Sequence, residues 1–322
     1  MSKNVRIVFM GTPGFAVASL GSLLMNGYNV VGVVTAPDKP AGRGRKITKS
    51  EVKQFSEFSY LPVLQPENLK DPAFIATLKA MKPDIIVVVA FRMLPAEVWS
   101  IPALGTFNLH ASLLPRYRGA APINHAIING EQMTGVTTFL IDENIDTGNI
   151  LFRHEVPVFP FENAGDLHDR LMRDGALLVT QTVKALIGGT VAPRPQTEFV
   201  APGEKIPTAP KIYPENCIID WTKGACQLHN FIRGLSPYPG ARSAFAGDEE
   251  VIDFKIFESQ VEIKKHQLKP GNIETDGRHY LRIACSDGFI NVISLQLAGR
   301  KRVTTVELLR GFRVADYRIK RD

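Results

Sequence analysis

Residues 84–90, DIIVVVA, contain an unbroken run of apolar and mostly β-branched residues directly after Asp84. Such a run is typical of a strand buried on both faces of a parallel sheet, because a strand with one solvated face alternates instead. Residues 5–10 form a second β-rich run, followed by a glycine turn at 11–14 and helical apolar spacing over 16–25. With the β-rich run 29–35, this order predicts a βαβ opening and an α/β fold with a mostly parallel sheet.

The glycine turn after the first predicted strand does not fit a dinucleotide-binding fingerprint. Gly11 and Gly14 lack a third glycine at the required offset, and no acidic residue ends the second strand. The two glycines could simply permit a tight turn, or they could allow the backbone of a substrate to come close. We therefore predict no nicotinamide cofactor.

Polar side chains interrupt the apolar stretch TFNLHASLLPRYRGAAP, which spans residues 106–122. The two-residue period of a strand places Asn108 and His110 on the same face. Pro115 ends the strand pattern, because proline cannot donate to a central ladder of hydrogen bonds. Since open α/β sheets bind ligands beyond the carboxyl ends of their strands, we expect a functional site here.

Three polar residues form the candidate catalytic site: Asn108, His110 and Asp146. We expect them to converge at the carboxyl ends of adjacent strands. A neutral imidazole can accept a proton from a nucleophile, a carboxylate can orient the imidazole, and an amide can donate to a developing oxyanion. The set suits acyl transfer to a nucleophile that the substrate supplies. Alternatively, the Asn and His are satisfied core groups and Asp146 is only a turn residue, and the pattern leaves both possibilities open.

Cysteine usage and charge limit the class of protein. The 322-residue chain contains Cys217, Cys226 and Cys285, an odd number without metal-ligand spacing, which indicates reduced thiols in a cytoplasmic protein. No second His or Cys has ligand spacing to His110, so we predict no metal site. The sequence shows no apolar run of membrane-spanning length and no secretory signal, so we expect no membrane association. A formal net charge of +6 permits an anionic partner such as nucleic acid without demanding one.

Residues 38–46, DKPAGRGRK, are basic, rich in glycine and proline, and without periodicity, which predicts a mobile loop. A cationic loop is often only solvated surface. The alternative is a flexible finger that neutralises phosphates and orders on contact. The sequence leaves both interpretations open.

The composition changes near residue 190. A long helical pattern ends at Gly188, and the proline-rich residues 191–214 predict a linker. Beyond it, short alternating runs separated by turn residues predict a small antiparallel barrel. We therefore expect a catalytic domain at residues 1–190, a linker at 191–214 and a barrel domain at 215–322.

These motifs resemble the formyltransferase family that uses 10-formyltetrahydrofolate. The resemblance is carried by N-x-H-x-S-L-L-P at residues 108–115, R-G-A-A-P at 118–122 and D-T-G at 146–148. Further stretches look like the members of the family that act on methionyl-tRNA, and they lie at residues 11–15, 37–44 and 219–221. The resemblance covers nearly the whole chain.

The resemblance implies a Rossmann-like N-terminal domain with a mostly parallel sheet, an OB-like C-terminal domain, and formylation of the α-amine of methionine on initiator tRNA. It implies that His110 is the general base, that Asn108 polarises the formyl oxygen and that Asp146 orients His110. The implied co-substrate is 10-formyltetrahydrofolate, whose site would be lined by Ser112, Leu113, Leu114, Pro115, Phe91 and Leu94.

The resemblance also implies contacts between the tRNA acceptor arm and the basic loop, through Arg43, Arg45 and Lys46. The basic C-terminal domain would hold the rest of the tRNA by its backbone. We expect the chain to act as a cytoplasmic monomer on this partner. One position departs from the family: Arg92 stands in a shortened loop where a glycine is usual. Its side chain could reach the glutamate tail of folate or face water.

Two other functions share part of this pattern. Related formyltransferases act on small amines, such as glycinamide ribonucleotide or an amino sugar, and the polar trio alone does not exclude these substrates. The basic loop and the basic second domain argue against them. A tRNA-binding module without catalysis would require a broken trio, and Asn108, His110 and Asp146 are all present.

Overall fold

The computed structural model of the chain describes residues 4–41 and 46–320. Arg43, Arg45 and the side chain of Lys46, which are the predicted tRNA contacts of the basic loop, lie outside the described residues.

The chain divides into two compact units. One comprises Met1–Gly119, Met133–Pro157 and His168–Thr208, and the other comprises Ala120–Gln132, Val158–Leu167 and Ala209–Asp322. Two internal segments therefore group with the C-terminal part of the chain, which the simpler succession of domains at 1–190, 191–214 and 215–322 does not anticipate. That succession stays a prediction.

The elements of the first unit follow one another as expected for an α/β fold. In chain order, the first part of the molecule contains β1 (Arg6–Gly11), α1 (Gly14–Met25), β2 (Asn29–Val34), β3 (Lys39–Ala41), β4 (Lys46–Thr48), α2 (Glu51–Phe58), β5 (Val63–Leu64), α3 (Pro72–Ala80), β6 (Ile85–Val89), α4 (Ala96–Trp99), β7 (Thr106–His110), α5 (Pro122–Ile128), β8 (Met133–Leu140), β9 (Ile150–Pro157) and α6 (Ala164–Gly188). Of these, α5 and the first turn of α6 fall in the second unit.

The main sheet of the first unit is parallel over most of its width. Among the described residues it has seven strands, in the order β5-β2-β1-β6-β7-β8-β9. The strands from β5 to β7 pair in parallel, whereas β8 and β9 are antiparallel to their neighbours. The βαβ opening and the mostly parallel sheet are confirmed, and β9 forms an antiparallel edge of the sheet.

Strand β6 occupies the centre of this sheet. All five of its residues are buried, and it pairs with β1 on one side and β7 on the other. Burying a Val or Ile side chain stabilises a fold by about 1.5–3 kcal/mol relative to leaving it exposed. The unbroken apolar run at residues 85–89 is therefore explained by two covered faces.

The basic loop is more regular than predicted. Strand β3 pairs with β4 in an antiparallel ribbon in which Lys39 lies opposite Thr48. The expectation of an irregular loop over residues 38–46 is therefore wrong at both of its ends. Strands of three residues leave no side-chain periodicity to detect, because their backbone pairing does not require alternating apolar residues.

Helix α6 covers one face of the sheet, and its contact with β7 shows which side chains of that strand lie on the other face. A Cβ atom on Gly175 would lie 2.7 Å from Cδ2 of Leu109, so the helix approaches β7 closely at this glycine. On the neighbouring strand β8, the Thr138 hydroxyl is hydrogen-bonded to the hydroxyl of Thr182 on α6, at 2.8 Å. Because side chains alternate along β7, Asn108 and His110 lie on the opposite face.

The second unit is built on an antiparallel sheet. Its remaining elements are α7 (Ala225–Gly234), β10 (Ala241–Ala246), β11 (Val251–Ile263), β12 (Ile273–Thr275), β13 (Leu281–Ala284), β14 (Gly288–Leu297), β15 (Val303–Thr304), α8 (Thr305–Leu309) and β16 (Arg318–Ile319). The strand order is β12-β13-β14-β11-β10-β16, with β15 beside β14. This arrangement confirms the expected OB-like barrel. Its core contains the stacked rings of Phe245 and Phe254, whose centroids are 4.1 Å apart.

No helix within residues 4–41 and 46–320 is both long enough and apolar enough to cross a bilayer.

Candidate active site

The candidate site lies where three parallel strands end together. Gly11 at the end of β1 pairs with Val89 at the end of β6, and Val89 pairs with Leu109 near the end of β7. His110, the last residue of β7, is 6% exposed, whereas Asn108 is half-buried. Within the described part of the chain, the Asn108 amide has no hydrogen-bond partner, so it is available to a ligand. The predicted position of these two residues near the carboxyl edge is confirmed.

The imidazole of His110 is fixed by the main chain. Its Nε2 atom lies 2.9 Å from the carbonyl oxygen of Tyr117. Because a carbonyl oxygen only accepts, Nε2 must carry the hydrogen, and in the neutral ring Nδ1 is then the proton acceptor. That Nδ1 atom lies 3.8 Å from Oδ2 of Asp146. The basic nitrogen of the ring therefore faces the carboxylate.

Asp146 reaches the imidazole by a route that differs from the expectation. Strand β8 is antiparallel to β7, so its end lies beside the start of β7, where Ile141 donates its backbone N–H to the Thr106 carbonyl at 2.9 Å. Asp146 therefore does not come from the carboxyl edge. The turn between β8 and β9 carries it back toward His110, and its Oδ2 accepts a hydrogen bond from the Gly119 N–H at 3.0 Å.

The turn that holds Asp146 is tightly constrained. Asp146 has a φ of 56°, in the left-handed region that residues with a Cβ rarely adopt. A Cβ on Gly148 would lie 1.7 Å from the carbonyl oxygen of Leu140, so only glycine fits there. The D-T-G motif thus combines a functional carboxylate with a glycine that the close approach of the chain requires.

Gln196 also contributes to this turn, and the sequence did not identify it. Its side chain is 4% exposed and its amide N–H groups donate to the carbonyl oxygens of Asp146 and Gly148, each at 2.9 Å. Its Oε1 accepts from Nε and Nη2 of Arg118, at 3.0 Å and 2.6 Å. The residue lies in the proline-rich stretch predicted as a linker, where the local pattern gives no signal for a buried amide.

The predicted folate residues after β7 have structural partners of their own. Ser112 is fully buried; its hydroxyl donates to the Arg116 carbonyl at 2.7 Å, and its carbonyl accepts from the Thr137 hydroxyl at 2.6 Å. Leu114 is fully buried and belongs to an apolar cluster. Leu113 is half-buried and Pro115 is buried. A ligand can therefore contact this segment through its backbone and through the Leu113 side chain.

The segment after β6 contributes one aromatic ring to the same edge of the sheet. Phe91 is half-buried, whereas Leu94 is 4% exposed and packs in the core of the first unit. The guanidinium of Arg92 donates to the Glu67 carbonyl at 2.7 Å and also to the Pro66 carbonyl. Arg92 is exposed, which agrees with the alternative that its side chain faces water, and its guanidinium also joins two neighbouring loops.

The start of the β3–β4 ribbon is anchored by an ion pair. Lys53 Nζ lies 2.6 Å from Oδ2 of Asp38, and Gln65 Nε2 donates to Oδ1 at 2.8 Å. These two hydrogen bonds, Lys53 first, lower the pKa of the Asp38 carboxyl below its ordinary value. The basic ribbon is thereby tied to α2 and to the segment after β5.

Residues 4–41 and 46–320 contain no group of three His, Cys, Asp or Glu side chains arranged to hold a metal ion.

The fold and the polar trio are those expected of an α/β enzyme of acyl transfer, and comparisons with known proteins specify the class. The family model described as formyl transferase matches residues 4–183, and the model of the formyl transferase C-terminal domain matches residues 211–313. The chain belongs to the formyl transferase family.

Curated relatives share about half of their residues with this chain. A methionyl-tRNA formyltransferase from Bacteroides fragilis is 54% identical over 315 residues, which cover 98% of this chain and 97% of the relative. A methionyl-tRNA formyltransferase from Flavobacterium johnsoniae is 50% identical over 314 residues, covering 98% of each chain. The similarity therefore extends through both units.

Solved structures with lower sequence identity share the fold. HypX from Aquifex aeolicus in complex with tetrahydrofolic acid has a TM-score of 0.64 and 18% identity, over 99% of this chain and 51% of that chain. The N-formyltransferase from Helicobacter canadensis, in complex with folinic acid and dTDP-3-aminofucose, has a TM-score of 0.61 and 20% identity, over 93% of this chain and 100% of that chain.

Proposed function

We propose that the chain transfers the formyl group of 10-formyltetrahydrofolate to the α-amine of methionyl initiator tRNA. The observation that carries this proposal is the identity of 54% with a methionyl-tRNA formyltransferase over 98% of the chain, barrel unit included. The N-formyltransferase solved with dTDP-3-aminofucose also matches 93% of the chain, but at only 20% identity. The contacts around His110 support the chemistry independently.

In this mechanism, Nδ1 of His110 accepts a proton from the attacking amine while the amine nitrogen bonds to the formyl carbon. The Asn108 amide donates to the formyl oxygen as that oxygen becomes negatively charged. The bond between the formyl carbon and the folate nitrogen then breaks, and the imidazolium returns its proton to the departing nitrogen. Asp146, 3.8 Å from Nδ1, stabilises the imidazolium between the two transfers.

For the formyl donor, we propose a site at the carboxyl edge of β6 and β7. The half-buried ring of Phe91 offers an aromatic face that suits a flat pterin. Ser112, Leu114, Pro115 and Leu94 would act by shaping the wall, since their side chains are buried. The half-buried Leu113 and the backbone of this segment would touch the ligand.

For the tRNA, we propose that Arg43, Arg45 and Lys46 contact the acceptor arm. Support comes from the β3–β4 ribbon, because the Asp38–Lys53 ion pair at 2.6 Å anchors its start. We assign the remaining backbone contacts to the basic barrel unit, as the net charge of +6 allows. We further propose that the protein works as a monomer in the cytoplasm, where initiator tRNA is used, with catalysis at 1–190 and tRNA binding at 215–322.

The test is a formyl-transfer assay with the full-length protein and labelled 10-formyltetrahydrofolate. Methionyl initiator tRNA, free methionine and a nucleotide-linked amino sugar are offered separately as acceptors, and light scattering checks the monomer. We expect efficient transfer to the charged tRNA alone. Equal or better kcat/KM with the amino sugar or with free methionine would contradict the proposal.

A further inference from the structure

Gln196 joins the two chain segments that flank the imidazole of His110. On one side, Tyr117 accepts from Nε2 through its carbonyl oxygen, at 2.9 Å. On the other side, Asp146 faces Nδ1 at 3.8 Å. Next to Tyr117, Arg118 donates two hydrogen bonds to Oε1 of Gln196, while the Gln196 amide N–H groups bind the Asp146 turn. A closed ring of contacts therefore passes through one side-chain amide.

We propose that Gln196 is a positioning residue for formyl transfer. It holds the Asp146 carboxylate and the Tyr117 carbonyl at their positions beside the two ring nitrogens of His110. This inference rests on the proposed function, because it assigns Gln196 to the same proton-transfer step. Because its amide bonds Arg118 and the Asp146 turn, we place Gln196 out of contact with both proposed substrates, so that it acts only through the residues that it holds.

The hydrogen bonds of Gln196 leave its amide a single orientation. An amide has two N–H donors and an oxygen with two lone pairs, and all four positions are used here. Carbonyl oxygens only accept and a guanidinium only donates, so the nitrogen must face Asp146 and the oxygen must face Arg118. No other natural side chain of this length presents donors to one segment and an acceptor to the other.

Both of the segments that Gln196 joins contain a disfavoured backbone conformation. Tyr117 has a φ of 61° and Asp146 a φ of 56°, and neither is a glycine. Such conformations persist only where the surrounding contacts determine them. Since Gln196 is 4% exposed, it is well placed to provide these contacts.

Gln196→Glu is the sharpest test, because it keeps the size and the acceptor for Arg118 but turns a carboxylate oxygen toward two carbonyl oxygens. Gln196→Met, of similar length, removes both the donors to the Asp146 turn and the acceptor for Arg118. Glu198→Gln is the matched control: it makes the reverse exchange two residues further along the short 3-10 helix Gln196–Phe199, where the Glu198 carboxylate pairs with Arg194 at 2.8 Å. Thermal unfolding of each variant gives the folded fraction.

We expect Gln196→Glu to lower kcat per folded molecule by about 10–100-fold, because a displacement of about 1 Å can cost that much in rate. KM for both substrates should stay within about threefold, since Gln196 touches neither, and Glu198→Gln should behave as the parent. Arg118→Lys keeps the Gln196 bonds to the Asp146 turn and should lose less kcat than Gln196→Glu.

Two results would overturn the inference. One is a kcat within twofold of the parent in both Gln196 variants. The other is a rise in KM that accompanies the fall in kcat, which would indicate a general structural role. If the parent protein formylates a different amine instead of methionyl-tRNA, the proposed function fails, and the same comparison with that amine still decides the role of Gln196.

Discussion

The Nδ1 atom of His110 lies 3.8 Å from the Oδ2 atom of Asp146. This separation is too long for a hydrogen bond but short enough for strong attraction once the ring is charged. The tautomer of the ring is set elsewhere, by the Tyr117 carbonyl at 2.9 Å from Nε2. In the proposed mechanism, Asp146 therefore acts through its charge, and the Tyr117 carbonyl orients the ring.

Replacing Asp146 with asparagine tests whether Asp146 acts through its charge. At about 4 Å, unit charges attract by about 1 kcal/mol in water and about 4 kcal/mol at an effective dielectric constant of 20. We expect Asp146→Asn to lower kcat by about 10–100-fold, because the amide can still accept from the Gly119 N–H but carries no charge. Steady-state formylation kinetics measure the loss.

Asp142→Asn is the matched control for that experiment. Asp142 lies in the same turn, and its Oδ1 accepts from the Thr147 hydroxyl at 2.8 Å and from the Asn144 N–H at 3.0 Å, which an amide oxygen can also do. It should keep nearly full activity. If the two variants lost activity equally, the loss would come from the turn and not from the charge.

Removal of His110 should cost more than removal of the Asp146 charge. A well-placed general base contributes about 10²–10⁴ in rate, so His110→Ala should fall by that factor in kcat while still binding tRNA. His125→Ala is the control, because His125 is a half-buried residue of α5 whose ring is bound to the Pro210 carbonyl. A smaller loss for His110→Ala than for Asp146→Asn would exclude His110 as the base.

Asn108 is assigned to the formyl oxygen, and its substitution should act on the chemical step alone. Loss of one oxyanion donor costs about 10²–10³ in kcat. We expect Asn108→Ala to show this loss with an unchanged affinity for folate and tRNA, which equilibrium binding measures. The side chain is half-buried and has no hydrogen bond within residues 4–41 and 46–320, so the fold should tolerate the change. Weakened folate binding with a normal kcat would instead make Asn108 a binding residue.

The sequence predicts the central architecture well because the relevant signals are local. Five consecutive buried Val and Ile residues at 85–89 leave no alternative to a covered parallel strand, and the two-residue period places Asn108 beside His110 on one face. Helix α1, β2 and the long helix α6 follow equally local patterns of apolar spacing and glycine ends.

The contacts that shape the site are not local and could not be predicted. Tyr117 acts through its carbonyl oxygen, which every residue has, so its side chain carries no signal. Gln196 lies 50 residues from Asp146 in a proline-rich stretch. The approach of Asp146 depends on the antiparallel direction of β8, which periodicity does not reveal. These three features follow from tertiary packing and chain direction.

The basic ribbon is expected to act on tRNA and not on folate. We predict that Arg43→Ala and Lys46→Ala raise KM for methionyl-tRNA about tenfold at moderate salt, because each removes a phosphate contact, and that folate binding stays unchanged. Each loss should also flatten the dependence of log affinity on log salt by about 0.7–0.9. Filter binding across a salt series measures this slope.

Lys49→Ala is the control in the same region, because Lys49 already pairs with Glu57 at 2.7 Å. Its removal should change tRNA affinity less than the loss of Arg43 or Lys46. Full activity and an unchanged salt slope in both ribbon variants would show that the ribbon is only solvated surface.

The anchor of this ribbon should make stability depend on pH in a defined direction. Hydrogen bonds from Lys53 and Gln65 lower the pKa of the Asp38 carboxyl below 3.8 in the folded protein. A depressed folded pKa means that the stabilisation is fully present above the unfolded value and is lost as pH falls through the folded value. Asp38→Asn should therefore be less stable than the parent at pH 7, with a difference that shrinks below about pH 4.

Urea unfolding of both proteins between pH 7 and pH 2.5 measures this difference. The substitution leaves the Gln65 bond possible but removes the charge that faces Lys53 at 2.6 Å, so the change with pH reports on the ion pair. Because the pair is partly solvated, its contribution should also weaken in high salt. A difference in stability that is the same at pH 7 and at pH 2.5 would mean that Asp38 holds the ribbon by shape and not by charge.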